Sequence, residues 1–329
     1  MEDGVLVIEE VSPGHHPKTS YTITDSVVRK TKFADVIFGK SSLYGNVLFL
    51  DKELQSASSD EAIYHEHLVH PLMNSLVNKL HKSILVVGGG EGATVREVLK
   101  WAPRLSKRFN NIDRVDWVDI DGELVTLCRK HLKWGQQSAC NDSRVNFYAE
   151  DIFDFLKRTT RCYDAIIIDL PDPSEDKELH NPGYEADRVL ECDLCDCDCD
   201  ECTCSDEVVE DTKKTDNLYG AEFWKLIIEH LNPGGGIVSH IGPVSPGNPE
   251  TYKTFSGYSI FEYHQRKNNI PNGYYYHTFI PSFQSEWGFW MSVPPTQSEN
   301  FPIGLNIMNK KTQSYAFTWP DYWNIKSFY

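Results

Sequence analysis

A glycine-rich turn constrains the fold more than any other feature of this chain. The run Gly88-Gly89-Gly90-Glu91-Gly92 directly follows an apolar β-type run and directly precedes a helical stretch. Glycines at such a turn let the backbone bend tightly and approach a nucleoside-like ligand, although a purely structural turn has the same pattern. Because a helix N-terminus attracts anions, the acid at position 91 disfavours a pyrophosphate and favours a ligand with a cationic group nearby.

The turn belongs to a longer alternation of β-rich runs and helical stretches, from about residue 84 to residue 231. This alternation predicts right-handed crossovers and a parallel sheet with helices on both faces. Two later β-type runs, Tyr274 to Ile280 and Trp287 to Val293, are close enough to form an antiparallel edge pair. The predicted fold class is therefore α/β, with a Rossmann-like sheet of the methyltransferase type and an antiparallel edge.

A small β-domain is predicted before this sheet. Phe33 to Phe38 and Asn46 to Leu50 are β-type runs, whereas the residues before them carry little pattern. Ser58 and Glu61 have the spacing of a capping box and predict a helix that starts near Asp60. The expected division is an N-terminal β-rich domain with a linking helix at 1–80, a catalytic domain at 81–300 and a C-terminal tail at 301–329.

Negative charge is concentrated in one segment of the catalytic domain. Residues 174–217 carry 16 Asp and Glu against four Lys and Arg, and so account for −12 of the net charge of −16. A segment this polar, without apolar periodicity, predicts a solvated insertion. The net charge also argues against a nucleic-acid partner, because phosphate binding needs clustered cations.

The insertion contains six of the nine cysteines. Their spacing is compatible with thiolate binding of zinc or another soft metal, but disordered low-complexity sequence is the default interpretation. Structural disulfides are not expected in a reducing compartment. The speculative ligands are Cys192, Cys195, Cys197, Cys199, Cys202 and Cys204.

The sequence contains no targeting signal that we recognise. No apolar run approaches the roughly 18 residues that span a bilayer. The N-terminus has no basic region followed by an apolar stretch. We therefore expect a cytoplasmic protein that makes no membrane contact.

Carboxylates follow three further strands of the predicted sheet. Asp119 and Asp121 end the second strand, where an acid can accept hydrogen bonds from ribose hydroxyls. Asp151 follows the third, where it would accept from an adenine amino group or cap the next helix. Asp169 and Asp172 follow the fourth, where paired acids would hold an ammonium group, take a proton from it, or only cap a helix.

Three histidines, His65, His67 and His70, lie in the helical run that follows Asp60. Together they suggest a metal site, but no carboxylate or cysteine in the sequence has a spacing that matches one. We expect them to be surface or packing residues, and no metal site outside the insertion.

Taken together, these motifs resemble those of the polyamine aminopropyltransferases, the spermidine and spermine synthase family. Their order and spacing agree from about Phe33 to Val293. The runs GGGEG, YHEHLVHP, DLPDP and IPSF look most like those of thermospermine synthases. The matching segments are 45–55, 60–71, 88–99, 119–125, 169–173, 231–235 and 280–290.

The resemblance implies decarboxylated S-adenosylmethionine as the donor co-substrate and no tightly bound cofactor. Glu91 would pair with the amine of the aminopropyl group and repel the carboxylate of ordinary S-adenosylmethionine. Asp119 would hold the ribose hydroxyls, Asp151 the adenine amino group, and Gln55 would line the pocket. The implied donor-binding residues are Gln55, Gly88, Gly90, Glu91, Asp119 and Asp151.

The resemblance also implies a polyamine as the acceptor and partner. Asp169, with Tyr64, would orient and deprotonate the attacking amine, and Asp172 would bind another ammonium. The family's usual assembly is a homodimer or higher homo-oligomer. The implied acceptor-binding residues are His65, Asp172, Tyr219, His240, Phe283 and Trp287.

The chain departs from the family pattern at three places. Ala34 and His240 stand where the family has glutamines, and the acidic insertion replaces a short loop over the site. The expected reaction is conversion of spermidine to thermospermine with release of methylthioadenosine. The alternatives are a spermidine or spermine synthase, a non-catalytic binding regulator, and an S-adenosylmethionine methyltransferase, against which Glu91 discriminates.

Overall fold

The chain forms two β-sheets joined by a helix. The acidic insertion and its six cysteines lie outside the described residues. No helix in the part of the chain that the structure describes is long and apolar enough to cross a membrane. The computed structural model describes residues 5–10, 19–101, 111–172, 218–244, 272–296 and 300–319, with Phe261, Gln265, Arg266 and Ile270.

The N-terminal sheet is a five-stranded antiparallel meander, which confirms the predicted β-domain. Its third and fourth strands were predicted from the sequence, and its first, second and fifth were not. In the second strand, burial is described for eleven of the twelve residues, and only Tyr21 and Ile23 are buried. With so few buried positions, the strand has no apolar alternation to detect. The strands are β1 (Leu6–Glu10), β2 (Thr19–Lys30), β3 (Asp35–Ser41), β4 (Gly45–Leu50) and β5 (Glu53–Ala57).

The linking helix α1 (Glu61–Ser75) lies where it was predicted, but the capping box does not form. Ser58 is engaged with the N-terminal sheet instead, because its Oγ accepts a hydrogen bond from the Asn46 N–H at 2.9 Å. The N-cap residue is Asp60, whose carboxylate accepts from the backbone N–H of Ser282 at 2.6 Å and from its hydroxyl at 2.9 Å. The start of α1 is thereby tied to a loop of the second sheet.

The second sheet has seven strands in the order β11-β12-β10-β9-β6-β7-β8. Strands β8, β7, β6, β9 and β10 are parallel, and β12 and β11 add an antiparallel edge, as predicted. The strands are β6 (His81–Gly88), β7 (Asn111–Asp119), β8 (Val145–Ala149), β9 (Tyr163–Asp169), β10 (Leu231–Pro243), β11 (Tyr274–Ile280) and β12 (Ser285–Met291).

Apolar side chains cover both faces of this sheet. Ile84 and Val86 of β6 belong to one core, and Leu85 and Val87 belong to the core on the opposite face. Burial on both faces explains the continuous apolar run of the strand. The other helices are α2 (Ala93–Leu99), α3 (Gly122–His131), α4 (Gln136–Asn141), α5 (Ile152–Arg158), α6 (Ala221–Glu229) and α7 (Lys310–Ala316). Of these, α4 and α7 were not predicted from the sequence.

The strand order reverses at β6. From β6 the chain proceeds outward through β7 and β8, and then returns to place β9 on the other side of β6. In open α/β sheets, ligands bind in the crevice outside the carboxyl ends of the strands at this point. Here the crevice begins where Gly88 of β6 pairs with Asp169 of β9.

Candidate active site

The glycine turn packs directly against the end of β9. Gly88 and Gly89 have φ of +79° and +69°, a region that favours glycine. A Cβ on Gly88 would overlap the carbonyl oxygen of Asp169, and one on Gly89 would lie 2.7 Å from Asp169 Oδ2. The Gly89 N–H also donates to the Asp169 carbonyl at 2.9 Å. These glycines are therefore needed to bring the turn and the Asp169 carboxylate together.

Two hydroxyl groups fix the Asp169 carboxylate. Tyr64 Oη on α1 donates to Asp169 Oδ1 at 2.7 Å, and Thr94 Oγ1 on α2 donates to Oδ2 at 2.5 Å. Burial, followed by the charge of Asp169, raises the pKa of Tyr64 well above its ordinary value, so the phenol remains a donor. Helices α1 and α2 thus hold the carboxylate at the end of β9 in one orientation, at the point where the strand order reverses.

His65 of α1, which the resemblance places among the acceptor-binding residues, pairs with Glu91 of the glycine turn, and its contact with an acceptor stays a prediction. Glu91 is 8% exposed, and its Oε1 lies 2.6 Å from His65 Nε2. His65 Nδ1 lies 2.7 Å from the Glu61 carbonyl oxygen and 3.0 Å from Glu61 Oε2. Because both ring nitrogens face oxygens that can only accept, His65 is an imidazolium. Burial lowers its pKa, but the charges of Glu91 and Glu61 outweigh burial and raise it well above the ordinary value.

An arginine extends this ionic chain. Arg96 of α2 donates to both carboxylate oxygens of Glu61, at 2.9 and 2.7 Å, and its Nε donates to Glu97 at 2.7 Å. Burial opposes ionisation of Glu61, but His65 and Arg96 overcome it and hold the pKa of Glu61 at about 2. The side chains of Glu91, His65, Glu61 and Arg96 therefore form one mostly buried network. Each charged group in it lies next to a group of opposite charge.

The two acids after β7 have different roles. Asp121 caps α3 by accepting from the Leu124 N–H at 2.9 Å, and it also accepts from Thr31 Oγ1 at 2.5 Å. Asp119 Oδ1 accepts from the Asp121 N–H at 2.8 Å, while its Oδ2 lies 3.0 Å from where a Cβ on Gly90 would stand. Burial is the largest cause that raises the pKa of Asp119 to about 6. Asp119 is therefore the member of the pair that faces the glycine turn.

Asp151 and Gln55 are the two other side chains expected at the donor site. Asp151 caps α5, because its carboxylate accepts from the Phe153 N–H at 2.7 Å. The capping interpretation is thus correct, and the adenine contact stays a prediction. Gln55 is exposed on β5, where its Nε2 donates to the Glu53 carbonyl at 3.4 Å. Its role in the donor pocket also stays a prediction.

Aromatic rings line the other side of Asp169. His240 stacks on Trp287 with ring centroids 6.1 Å apart, and Phe283 packs against Trp287 at 4.7 Å. Tyr64 makes edge contacts with His240 at 5.8 Å and with Phe283 at 6.2 Å. Rings of this kind can receive the methylene groups and ammonium groups of an extended cation.

Asp172 and Tyr219 complete this side of the crevice. The Asp172 side chain is 46% exposed, and its Oδ1 lies 3.4 Å from His240 Nδ1. Tyr219, with a φ of +66°, donates through its hydroxyl to the Pro171 carbonyl at 3.1 Å. Tyr219 therefore holds the backbone of the loop that carries Asp172.

Comparisons with known sequences show which family the chain belongs to. The Spermine/spermidine synthase domain model matches residues 61–185. Polyamine aminopropyltransferases of Saccharolobus solfataricus and Sulfolobus acidocaldarius are 33% and 30% identical over 261 and 299 residues, covering 79% and 88% of this chain and 69% and 80% of theirs. The chain belongs to the polyamine aminopropyltransferase family. A Synechococcus relative of that name is 34% identical over 220 residues, which cover 66% of this chain but only 56% of the relative.

Solved structures support the fold of this family member. Spermidine synthase from Thermotoga maritima matches with a TM-score of 0.69 at 18% identity, covering 96% of this chain and 92% of its own. A spermidine synthase in complex with the transition-state analogue AdoDATO matches with a TM-score of 0.71 at 18% identity, covering 96% and 93%. The likeness confirms the methyltransferase-type sheet with an N-terminal antiparallel sheet.

Several contacts in and around this candidate site were missed by sequence reasoning. Thr94 and Arg96 lie within the conspicuous run after the glycines, but nothing in the sequence indicates that they reach Asp169 and Glu61. Glu66 is fully buried and accepts from three backbone N–H groups at 2.7, 2.8 and 2.7 Å. Glu66 thereby fixes the segment before α7, namely Asn306, Ile307 and Met308.

The histidines of α1 have packing and ionic roles. His70 accepts from Trp101 Nε1 at 2.7 Å and lies 2.8 Å from Glu97 Oε2. His67 stacks on Phe289, and burial lowers its pKa to about 4. Among the described residues, no group of three or more His, Cys, Asp or Glu is placed to hold a metal ion.

Proposed function

We propose that this protein transfers the aminopropyl group of decarboxylated S-adenosylmethionine to spermidine, forming thermospermine and releasing methylthioadenosine. The observation that carries the proposal is the Asp169 carboxylate, which Tyr64 and Thr94 hold at the switch point beside the glycine turn. Family membership supports aminopropyl transfer as the reaction class.

The donor would lie along the glycine turn. Asp119, with Oδ2 beside Gly90, would accept hydrogen bonds from the ribose hydroxyls. Glu91 would accept from the ammonium of the aminopropyl group and share its charge with His65. A donor with an intact carboxylate would place two negative charges together, which disfavours ordinary S-adenosylmethionine.

The acceptor would lie along the aromatic rings on the opposite side of Asp169. Its attacking nitrogen loses a proton to Asp169, forms a C–N bond to the carbon next to the sulfonium, and the C–S bond breaks to release methylthioadenosine. Asp169 then returns the proton to solvent. Because sulfonium is already a good leaving group, positioning of the two substrates supplies most of the acceleration, up to about 7 to 11 kcal/mol in model systems.

Spermidine is the proposed acceptor because the motifs GGGEG, YHEHLVHP, DLPDP and IPSF are most similar to those of thermospermine synthases. A spermidine or spermine synthase would use the same donor and the same carboxylate. The regulatory alternative is disfavoured, because Tyr64, Thr94 and Asp169 retain an arrangement suited to deprotonation.

Product analysis tests the proposal. The purified protein is incubated with decarboxylated S-adenosylmethionine and, separately, putrescine, spermidine or norspermidine, and the products are resolved by chromatography and mass spectrometry. We expect methylthioadenosine and thermospermine with spermidine. Turnover with putrescine alone would reassign the protein as a spermidine synthase. Binding of amines without any turnover would favour the regulatory alternative.

A further inference from the structure

His240 stands at a position where the resemblance leads one to expect a glutamine, and its surroundings fix one of its protons. The residue lies near the end of β10 and is 3% exposed. Its Nε2 is hydrogen-bonded to the carbonyl oxygen of Leu170. Because a carbonyl oxygen can only accept, Nε2 carries a hydrogen.

The other ring nitrogen has no such settled partner. His240 Nδ1 is buried, has no hydrogen-bond partner among the residues that the structure describes, and lies 3.4 Å from Asp172 Oδ1. If Nδ1 is protonated, it can donate to Asp172 after a small movement. If Nδ1 is neutral, its lone pair and the carboxylate face each other, and both can accept hydrogen bonds from a cation between them.

The groups that face the ring favour the protonated state when no ligand is bound. Asp172 and Asp169 bring negative charge from the end of β9 and its loop, while Tyr64 from α1, Trp287 from β12 and Tyr219 before α6 are uncharged. Burial lowers the pKa of His240, but the interaction with Asp172 and the charge of Asp169 outweigh burial and raise it. The surroundings of His240 in the free site therefore favour a proton on Nδ1 next to Asp172.

We propose that His240 couples acceptor binding to proton release: an ammonium of the acceptor takes the place of the Nδ1 proton beside Asp172, and that proton leaves to solvent. Neutral Nδ1 and Asp172 then both accept from the bound ammonium. This inference rests on the proposed function, since it assumes that a polyamine occupies this side of the crevice. Polyamine affinity consequently rises with pH through the titration of His240, and a glutamine at this position removes that dependence.

Calorimetry measures the released proton directly. The protein, saturated with methylthioadenosine, is titrated with spermidine near pH 7 in two buffers that differ in ionisation enthalpy. We expect the wild type to release about one proton more per spermidine than His240→Gln, whose amide can still donate to the Leu170 carbonyl. Equal proton release by the two proteins would overturn the proposal.

His277→Gln is the matched control. His277 also has one ring nitrogen near a carboxylate, Glu286 at 2.9 Å, and the other near a carbonyl, Thr318 at 3.2 Å, but it lies on the edge strand β11. Its replacement is expected to leave proton release at the wild-type value. Loss of the extra proton in His277→Gln as well would show that the proton does not come from His240.

Nitrogen NMR of histidine-labelled wild type keeps the test independent of whether His240→Gln folds. The Nδ1 resonance of His240 is expected at the imidazolium position in the free protein and at the neutral position with spermidine bound. An unchanged resonance despite binding would overturn this inference alone. Absence of any binding heat with spermidine, putrescine or norspermidine would overturn the proposed function, and this inference with it.

Discussion

The two sides of the crevice differ in the chemistry of their side chains. On the proposed donor side, Glu91, His65, Glu61 and Arg96 form a mostly buried ionic network in which each group has a charge partner. On the proposed acceptor side, the rings of Tyr64, Phe283 and Trp287 pack together, and Asp172, which is 46% exposed, has His240 beside it. Changes on the donor side should therefore alter stability together with donor binding, whereas changes on the acceptor side should alter acceptor binding alone.

The largest expected effect is on folding and comes from Glu61→Gln. Removing this carboxylate leaves His65 and Arg96 buried without their shared partner, so the free energy of unfolding should fall by about 3 to 5 kcal/mol at pH 7. Because the pKa of Glu61 drops from 4.5 to about 2 on folding, its contribution is present above pH 4.5 and lost toward pH 2. Urea unfolding should show a smaller difference in unfolding free energy between Glu61→Gln and the wild type at pH 3 than at pH 7.

Glu150→Gln is the control for this prediction. Glu150 pairs with Arg158 on the surface, with side chains 26% and 51% exposed. Such a pair contributes about 1 kcal/mol or less. If Glu61→Gln and Glu150→Gln lower the free energy of unfolding equally, the buried ionic network stabilises the fold no more than a surface pair does.

Glu91→Gln should weaken binding of decarboxylated S-adenosylmethionine by about 10- to 100-fold, the loss expected for a hydrogen bond between charged groups. Affinity for ordinary S-adenosylmethionine should stay the same or rise, because the variant would no longer repel its carboxylate as the glutamate does. Trp134→Phe, which removes the indole N–H 3.2 Å from Glu91 together with part of the ring but keeps the Glu91 carboxylate, is the milder control. Equal weakening of both ligands in a binding assay would contradict a charge-selective role for Glu91.

Donor binding should also depend on pH through Asp119. Its pKa of about 6 means that the carboxylate is ionised at pH 7.5 and becomes protonated as the pH falls through 6. In the proposed role the ionised form of Asp119 accepts the ribose hydrogen bonds, so donor affinity should fall roughly tenfold by pH 5. Titrations of Asp119→Asn should give a weaker affinity with a flatter pH profile, and a wild-type profile without this fall would exclude Asp119 from the donor site.

The smallest expected effect lies on the acceptor side. Phe283→Leu removes a ring that packs on Trp287 and is placed to contact an ammonium, so the KM for spermidine should rise about two- to fivefold. Donor affinity should not change. Phe279→Leu, on the edge strand β11 with Phe279 51% exposed, should leave both constants at wild-type values. An equal loss of donor affinity in Phe283→Leu would remove the distinction between the two sides.

Local signals in the sequence account for the fold and for the positions of the site carboxylates. Strand and helix alternation predicted the parallel sheet, and strand ends placed Asp119 and Asp169 at one crevice. What the sequence did not reveal depends on contacts between distant segments. The ring of His65 bridges Glu61, four residues earlier, and Glu91, and Thr94 meets Asp169 across 75 positions. Similarly, the capping-box prediction was wrong because Ser58 Oγ accepts a hydrogen bond from the Asn46 N–H of the N-terminal sheet instead.

The most direct test is methylthioadenosine release by Asp169→Asn at saturating decarboxylated S-adenosylmethionine and spermidine. Asp164→Asn is the control, since Asp164 lies near the other end of β9 and pairs with Lys79 at 2.8 Å. We predict a loss of about 100- to 10,000-fold for Asp169→Asn, with both substrates still bound, and wild-type turnover for Asp164→Asn. Turnover of Asp169→Asn close to that of the wild type would contradict the assignment of this carboxylate as the base.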